Sequence, residues 1–132
     1  MIRYMLDTNT VSHLIRRHPV VARRLMIVPM ASVCISSITE SELLFELARR
    51  PEAIRLHNAV REFLLCVDVL PWDTLTAQTY GIVRANMERR GRMLAPLDLL
   101  IATHALTANG VLVTNDQAFL QMADLSVEDW TV

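Results

Sequence analysis

The sequence predicts an α/β fold in which helices cover a mostly parallel central sheet. Short apolar segments alternate along the chain with helical patterns, an order typical of parallel strands joined by helices. The strand segments are almost wholly apolar, as expected for strands that are buried on both faces. The chain has 132 residues, 52% of them apolar, and only three glycines. This length and the lack of a visible linker predict a single domain over residues 1–132.

Five apolar segments are predicted to be the strands. They are short, most are rich in β-branched residues, and polar or turn-forming residues bound them. In chain order they cover residues 2–6, 32–36, 67–70, 111–114 and 125–129. The last of them is expected at an edge of the sheet.

Seven helical patterns occupy the intervals between these strands. Residues that start or stop helices, such as Pro19, Asp73 and Gly91, mark their ends. In chain order the patterns cover residues 8–17, 20–27, 39–50, 52–66, 73–91, 96–109 and 117–122. The helix that Pro96 opens has the most regular apolar stripe. His104 lies on that stripe, so a buried core histidine is expected there.

Four acidic residues are predicted to converge at one edge of the sheet. Asp7 directly follows the first strand, Asp116 comes soon after the fourth, and Glu42 and Asp98 lie in the first turns of two helices. In open α/β sheets, ligands bind beyond the carboxyl ends of the strands. Neutral polar residues beside the acids are expected to orient carboxylates or waters, namely Thr8, Asn9, Thr114 and Asn115.

Four carboxylates without a counter-charge would repel one another, which a bound cation prevents. Hard divalent cations prefer oxygen ligands, so Mg²⁺ or Mn²⁺ is the expected cofactor. Such an ion activates water and stabilises charge on a phosphodiester, which is the chemistry of hydrolytic phosphoryl transfer.

Each acid also has a purely structural interpretation. Asp7 and Asp116 suit helix N-caps, and Asp98 suits the positive end of a helix dipole. Glu42 forms the capping-box pattern T-x-x-E with Thr39. The convergence of all four at one edge favours the metal site over four separate structural roles.

The chain resembles the PIN-domain ribonucleases, in particular the VapC-type toxins of bacterial type II toxin–antitoxin systems. Four motifs carry the resemblance in order: M-L-D-T-N-T at 5–10, I-S-S-I-T-E-S-E-L at 35–43, A-P-L-D-L-L-I-A at 95–102 and L-V-T-N-D-Q-A-F at 112–119. The terminal V-E-D-W at 127–130 is also similar to the last strand of the family.

The resemblance implies a three-layer α/β/α sandwich and endonucleolytic cleavage of RNA, often structured RNA such as tRNA. It implies that Asp7, Glu42, Asp98 and Asp116 are the catalytic, metal-binding acids. Some relatives carry a neutral residue at the position of Asp116.

Partners also follow from the resemblance. It implies a small VapB-type antitoxin that blocks the active site, a toxin homodimer, and a toxin–antitoxin hetero-oligomer that binds operator DNA through the antitoxin. No apolar run reaches the ~20 residues of a membrane span, and no signal-peptide pattern is present. A cytoplasmic protein that does not enter a membrane is therefore expected.

The basic residues are unusual because all thirteen are arginines, although the net charge is only −1. Arginine binds phosphate through a planar, bidentate fork. Arginines near helix ends are candidates for contact with the RNA backbone, namely Arg16, Arg17, Arg84, Arg89, Arg90 and Arg92. Solvated helix ends and a genomic codon bias would also explain these residues.

Two other functions stay open. A phosphatase of the haloacid dehalogenase type, or a receiver domain, would also place an Asp after an apolar strand. However, residue 9 is Asn where the phosphatase motif has a second Asp, and the chain lacks the lysine that receivers and most such phosphatases use. A non-catalytic binding module on the same fold is the second alternative, and the four intact acidic positions weigh against it.

Overall fold

The computed structural model describes residues 2–132 and contains a five-stranded, all-parallel sheet with the strand order β3-β2-β1-β4-β5. The strands are β1 (Tyr4–Leu6), β2 (Val33–Ser36), β3 (Asp68–Leu70), β4 (Val111–Val113) and β5 (Ser126–Glu128). The prediction of a mostly parallel sheet with the last strand at an edge is confirmed.

Between residues 2 and 132, six α-helices connect the strands. They are α1 (Thr8–Ile15), α2 (Pro19–Met26), α3 (Ser37–Arg49), α4 (Ile54–Cys66), α5 (Thr74–Arg89) and α6 (Pro96–Thr107). Two 3₁₀ helices add to them, Met30–Ser32 and Gln117–Gln121. None of the helices among residues 2–132 combines the length and the apolar character that crossing a membrane requires.

The alternation of side chains along the strands produces the three layers. Met5 pairs in register with Cys34 of β2 and Leu112 of β4, and this row is buried under α5 and α6. The neighbouring positions, such as Leu6 and Val113, point to the opposite face and pack against α1 to α4. Both faces of the sheet are therefore covered, which confirms the predicted α/β/α sandwich.

The structure corrects one prediction about the start of α3. The sequence predicted that the helix begins at Thr39 with Glu42 in its first turn, and a capping box between these two residues was the structural alternative for Glu42. Instead, Ser36 is the N-cap and its Oγ accepts a hydrogen bond from the Ile38 amide. Because Ser36 is also the last residue of β2, the helix begins where the strand ends. Glu42 therefore lies in the second turn, and its carboxylate is directed to another partner.

Candidate active site

Asp7 lies directly after β1 and is held rigidly at the carboxyl end of the sheet. Its amide donates to the carbonyl oxygen of Val113 at 3.0 Å. Its Oδ1 accepts from the Thr10 amide at 2.8 Å, which caps α1, and the Thr10 hydroxyl donates to the same Val113 carbonyl at 2.9 Å. Only 5% of Asp7 is exposed. The N-cap role is thus real, but it uses only Oδ1 as an acceptor for the Thr10 amide.

Burial makes the negative charge of Asp7 unfavourable. Desolvation raises the pKa of Asp7, and the nearby negative charge of Asp116 raises it further. Hydrogen bonds from the Thr114 hydroxyl and from Thr10 act in the opposite direction. The carboxylate is therefore placed where a positive partner would stabilise it.

Thr114 connects Asp7 with Asp116 at the end of β4. It is buried, its amide donates to the Glu128 carbonyl at 2.9 Å, and its Oγ1 accepts from the Asp116 amide at 3.1 Å. Asp116 in turn caps the 3₁₀ helix by accepting from the Ala118 amide at 2.9 Å. The Thr114 hydroxyl therefore contacts Asp7 and also holds the backbone of Asp116 in place.

Glu42 reaches the site from α3. Its Oε1 accepts a hydrogen bond from the Thr8 hydroxyl, which also lies 3.4 Å from the Thr39 hydroxyl. Thr8 is the first residue of α1, so this contact ties the helix that Asp7 caps to the helix that carries Glu42.

Asp98 projects from the first turn of α6 and is half-buried. Desolvation raises its pKa, and the negative charges of Asp116, Asp7 and Glu42 add to the increase, in that order. This is the observation that links all four acids, because each of the other three acts electrostatically on Asp98.

The acids form an uncompensated negative site. Within residues 2–132, none of the four forms an ion pair with an arginine or a histidine. In the same part of the chain, no three acidic, histidine or cysteine side chains gather closely enough to ligate a metal ion by themselves. Carboxylate oxygens are nevertheless the donors that a hard cation prefers, and Mg²⁺ commonly takes only a few of them while it keeps several waters.

The remaining polar candidates lie around this centre. Asn9 and Asn115 are exposed neighbours of Asp7 and Asp116, with no side-chain hydrogen bond within the described residues. Sequence reasoning missed Thr10, whose hydroxyl ties α1 to the end of β4. Its position as the last residue of D-T-N-T is the signal that could have identified it.

A groove of about 870 Å³ lies against α1, α3 and α4. Thr8 and Glu42 lie on its wall, and so does Leu97, the residue before Asp98. Apolar residues such as Leu56 and Val60 line the groove together with charged ones. Glu42 is therefore the acid of the site that borders this partly apolar groove.

The candidate arginines divide into two groups. Arg16 lines the groove, and the neighbouring Arg17 has a left-handed φ of 62° after α1. The other group lies in or after the second half of α5, namely Arg84, Arg89, Arg90 and Arg92. Arg84 pairs with Glu88 at 3.1 Å.

The loop between α5 and α6 lies beside the 3₁₀ helix that Asp116 caps. The Thr76 hydroxyl at the start of α5 lies 3.1 Å from the Thr107 hydroxyl at the end of α6. Arg90 and Arg92 line a small cavity together with Leu106, near the end of α6, and Met122. Arg92 Nη1 donates to the Gln121 carbonyl at 3.0 Å and thus ties the loop to the 3₁₀ helix after Asp116.

Comparison with known sequences identifies a family match. The family described as PIN domain matches residues 4–125. The chain is 34% identical, over 99% of its length and all of the relative, to a protein named tRNA(fMet)-specific endonuclease VapC from Shigella flexneri.

Solved structures are similar along the whole fold. The DNA-bound VapBC of Salmonella typhimurium matches with a TM-score of 0.91 at 34% identity, covering 98% of this chain and 99% of that one. The VapBC of Rickettsia felis, bound to a DNA fragment from its promoter, matches with a TM-score of 0.88 at 30% identity and the same coverage.

Proposed function

Because this chain belongs to the PIN-domain family, we propose that it is a metal-dependent endoribonuclease that acts as the toxin of a toxin–antitoxin pair. The observation that carries the proposal is that Asp7, Glu42 and Asp116 all raise the pKa of Asp98 by their negative charge, while none of the four acids has a cationic partner within residues 2–132. An uncompensated acidic site favours a divalent cation and, through it, a phosphodiester substrate.

In this proposal Asp7, Glu42, Asp98 and Asp116 hold the cation, which is Mg²⁺ or Mn²⁺. The bound ion supplies positive charge against the phosphate that is cleaved. Asp7 and Asp116 come from the ends of adjacent strands and are fixed by backbone hydrogen bonds, while Thr8 orients the Glu42 carboxylate. Such preorganisation reduces the cost of gathering like charges when the ion binds.

The proposed substrate is structured RNA such as tRNA, which the printed name of the Shigella relative supports. The proposed partner is a VapB-type antitoxin, since the similar structures are VapBC complexes bound to DNA. We also propose a homodimer that enters a toxin–antitoxin hetero-oligomer, contact with operator DNA only through the antitoxin, and a cytoplasmic location. The groove beside Glu42 would accommodate an extended segment of the antitoxin.

The experiment that tests this function maps cleavage sites in RNA. The purified, antitoxin-free chain is incubated with total bacterial RNA and Mg²⁺, Mn²⁺ or excess chelator, and the new RNA ends are sequenced. We expect discrete cuts in one or a few structured RNAs, only with metal. Folded protein that binds RNA but makes no cut under any condition would support the alternative of a non-catalytic binding module.

Asp116→Asn is expected to reduce cleavage less than the same change at Asp7. Asparagine retains the cap on the Ala118 amide, and Asp116 is half-buried rather than buried. The measurement compares kcat/KM of Asp116→Asn and Asp7→Asn on one cleaved RNA, which tests whether Asp116 contributes as much as Asp7. A loss equal to that of Asp7→Asn would make Asp116 a full ligand.

Replacing Arg90 and Arg92 by alanine is expected to weaken RNA binding and its dependence on salt. Both side chains are exposed beside the 3₁₀ helix that Asp116 caps, where they can contact phosphates of a bound RNA. Each lost phosphate contact should lower the slope of log K against log[salt] by about 0.7–0.9. The double variant of Arg55 and Arg61, exposed on α4, is the charge-matched control. Equal slopes for both double variants would contradict a specific role for the loop.

A further inference from the structure

Two adjacent serines at the junction of β2 and α3 bind groups that belong to or contact α6. Ser36 Oγ lies 2.7 Å from Nδ1 of His104. Ser37 Oγ accepts from the Trp72 amide at 3.1 Å, and the indole Nε1 of Trp72 donates to the Leu100 carbonyl at 3.0 Å. None of these groups is among the candidate ligands or RNA contacts.

The hydrogen bond with Ser36 fits a neutral His104 ring. Ser36 Oγ accepts from the Ile38 amide at 3.0 Å, which leaves its proton available for Nδ1 of His104. A neutral ring with hydrogen on Nε2 accepts that proton at Nδ1. Burial also lowers the pKa of His104, of which only 3% is exposed.

These contacts connect the two helices that carry Glu42 and Asp98. Ser36 caps α3, which carries Glu42 six residues later, and His104 lies six residues after Asp98 on α6, in both cases less than two turns. Apolar contacts between packed helices permit small sliding movements. A directional bond between two buried polar side chains restricts such movement, because breaking it would leave the Ser36 hydroxyl proton and Nδ1 of His104 buried without a partner.

We propose that Ser36–His104 and Ser37–Trp72–Leu100 form a clamp that sets the spacing of Glu42 and Asp98 and thereby the affinity of the site for its divalent cation. The residues of the clamp act on the ion only through Glu42 and Asp98, so Ser36, His104 and Trp72 are positioning residues. This inference rests on the proposed function, since it requires that Glu42 and Asp98 bind the same ion.

The test measures the dissociation constant for Mn²⁺ by calorimetric titration of the purified full chain, with circular dichroism to select temperatures at which each variant is folded. His104→Leu removes the bond to Ser36, and His104→Asn supplies an amide near the position of Nδ1. Trp72→Phe removes the indole N–H together with part of the ring that packs against Tyr80, keeps the bond from the Trp72 amide to Ser37, and is the variant to use if His104→Leu does not fold. Thr103→Val is the control, since the buried Thr103 hydroxyl bonds only to Leu99 of its own helix.

Loss of partners around metal ligands typically reduces affinity by about 10- to 100-fold. We expect His104→Leu to raise the dissociation constant within that range, Trp72→Phe to raise it less, and His104→Asn to recover part of the loss. Thr103→Val should stay within about twofold of wild type, well below the effect expected of such a partner.

Two results would overturn the clamp while leaving the proposed function intact. The first is unchanged Mn²⁺ affinity in folded His104→Leu and Trp72→Phe. The second is an equal loss of affinity in Thr103→Val, which would show a general effect of stability. Absence of Mn²⁺ binding by the wild-type chain itself would instead overturn the proposed function and the clamp together, so the wild-type arm distinguishes the two failures.

Discussion

Replacing Asp7 with asparagine is expected to abolish RNA cleavage while the fold is retained. Asparagine is as good an N-cap as aspartate, so its Oδ1 can still accept from the Thr10 amide. The change removes a buried negative charge whose pKa burial raises, and it should not destabilise the metal-free chain. What is lost is one carboxylate of the site. A bound metal contributes several kcal/mol to phosphoryl transfer, which corresponds to about a thousand-fold or more in rate.

The measurement is kcat/KM on an end-labelled RNA that the wild-type chain cleaves, at saturating Mg²⁺. Asp73→Asn is the matched control. Asp73 caps α5 by accepting from the amide three residues later, as Asp7 caps α1, but it lies outside the acidic site. We expect Asp73→Asn to retain activity. An active Asp7→Asn chain, at a metal concentration that saturates wild type, would remove Asp7 from the catalytic site.

Replacing Asp98 with asparagine is expected to eliminate the stabilisation that metal gives to the folded chain. A ligand present at 100 times its dissociation constant stabilises the folded state by about 2.7 kcal/mol. The negative charges of the other three acids all raise the pKa of Asp98, which places Asp98 among them. Its loss should therefore weaken metal binding most. The free energy of unfolding, measured in urea with Mn²⁺ and with chelator, gives the metal-induced difference for each protein. An unchanged difference in Asp98→Asn would contradict its role as a ligand.

The same variant should be more stable than wild type when no metal is present. The pKa of Asp98 is raised above its unfolded value of 3.8, so the charged form is disfavoured in the folded state. Charged Asp98 therefore lowers the free energy of unfolding, and this loss is complete at a pH above the pKa of Asp98 in the folded chain. The loss disappears as the pH falls below that pKa towards 3.8. The advantage of Asp98→Asn should therefore be largest near neutral pH and shrink in acid. The lowered pKa of His104, which costs stability below about 6.5, affects both proteins and cancels in the difference.

Sequence patterns predicted the parts of this fold that depend on local burial and on chain order. Apolar runs identified the strands, and the rule that sites lie at their carboxyl ends placed Asp7 and Asp116 together because β1 and β4 are neighbours. The apolar stripe of α6 also predicted that His104 is buried, which the structure confirms.

The partners of side chains across the fold could not be predicted in this way. Glu42 matched a local capping box, but its partner is Thr8, 34 residues earlier. His104 matched a core position, but its partner is Ser36, 68 residues away. Both contacts depend on how helices pack on the sheet, and no spacing along the chain encodes that packing.

The most direct test of the central claim is to locate the metal by anomalous X-ray diffraction from crystals of the full chain soaked in Mn²⁺. We expect a peak beside the carboxylates of Asp7 and Asp98, within reach of Glu42 and Asp116, and none in crystals of Asp98→Asn. A crystal of the wild-type chain with no peak among these acids, or with its strongest peak elsewhere, would contradict the assignment of the metal site.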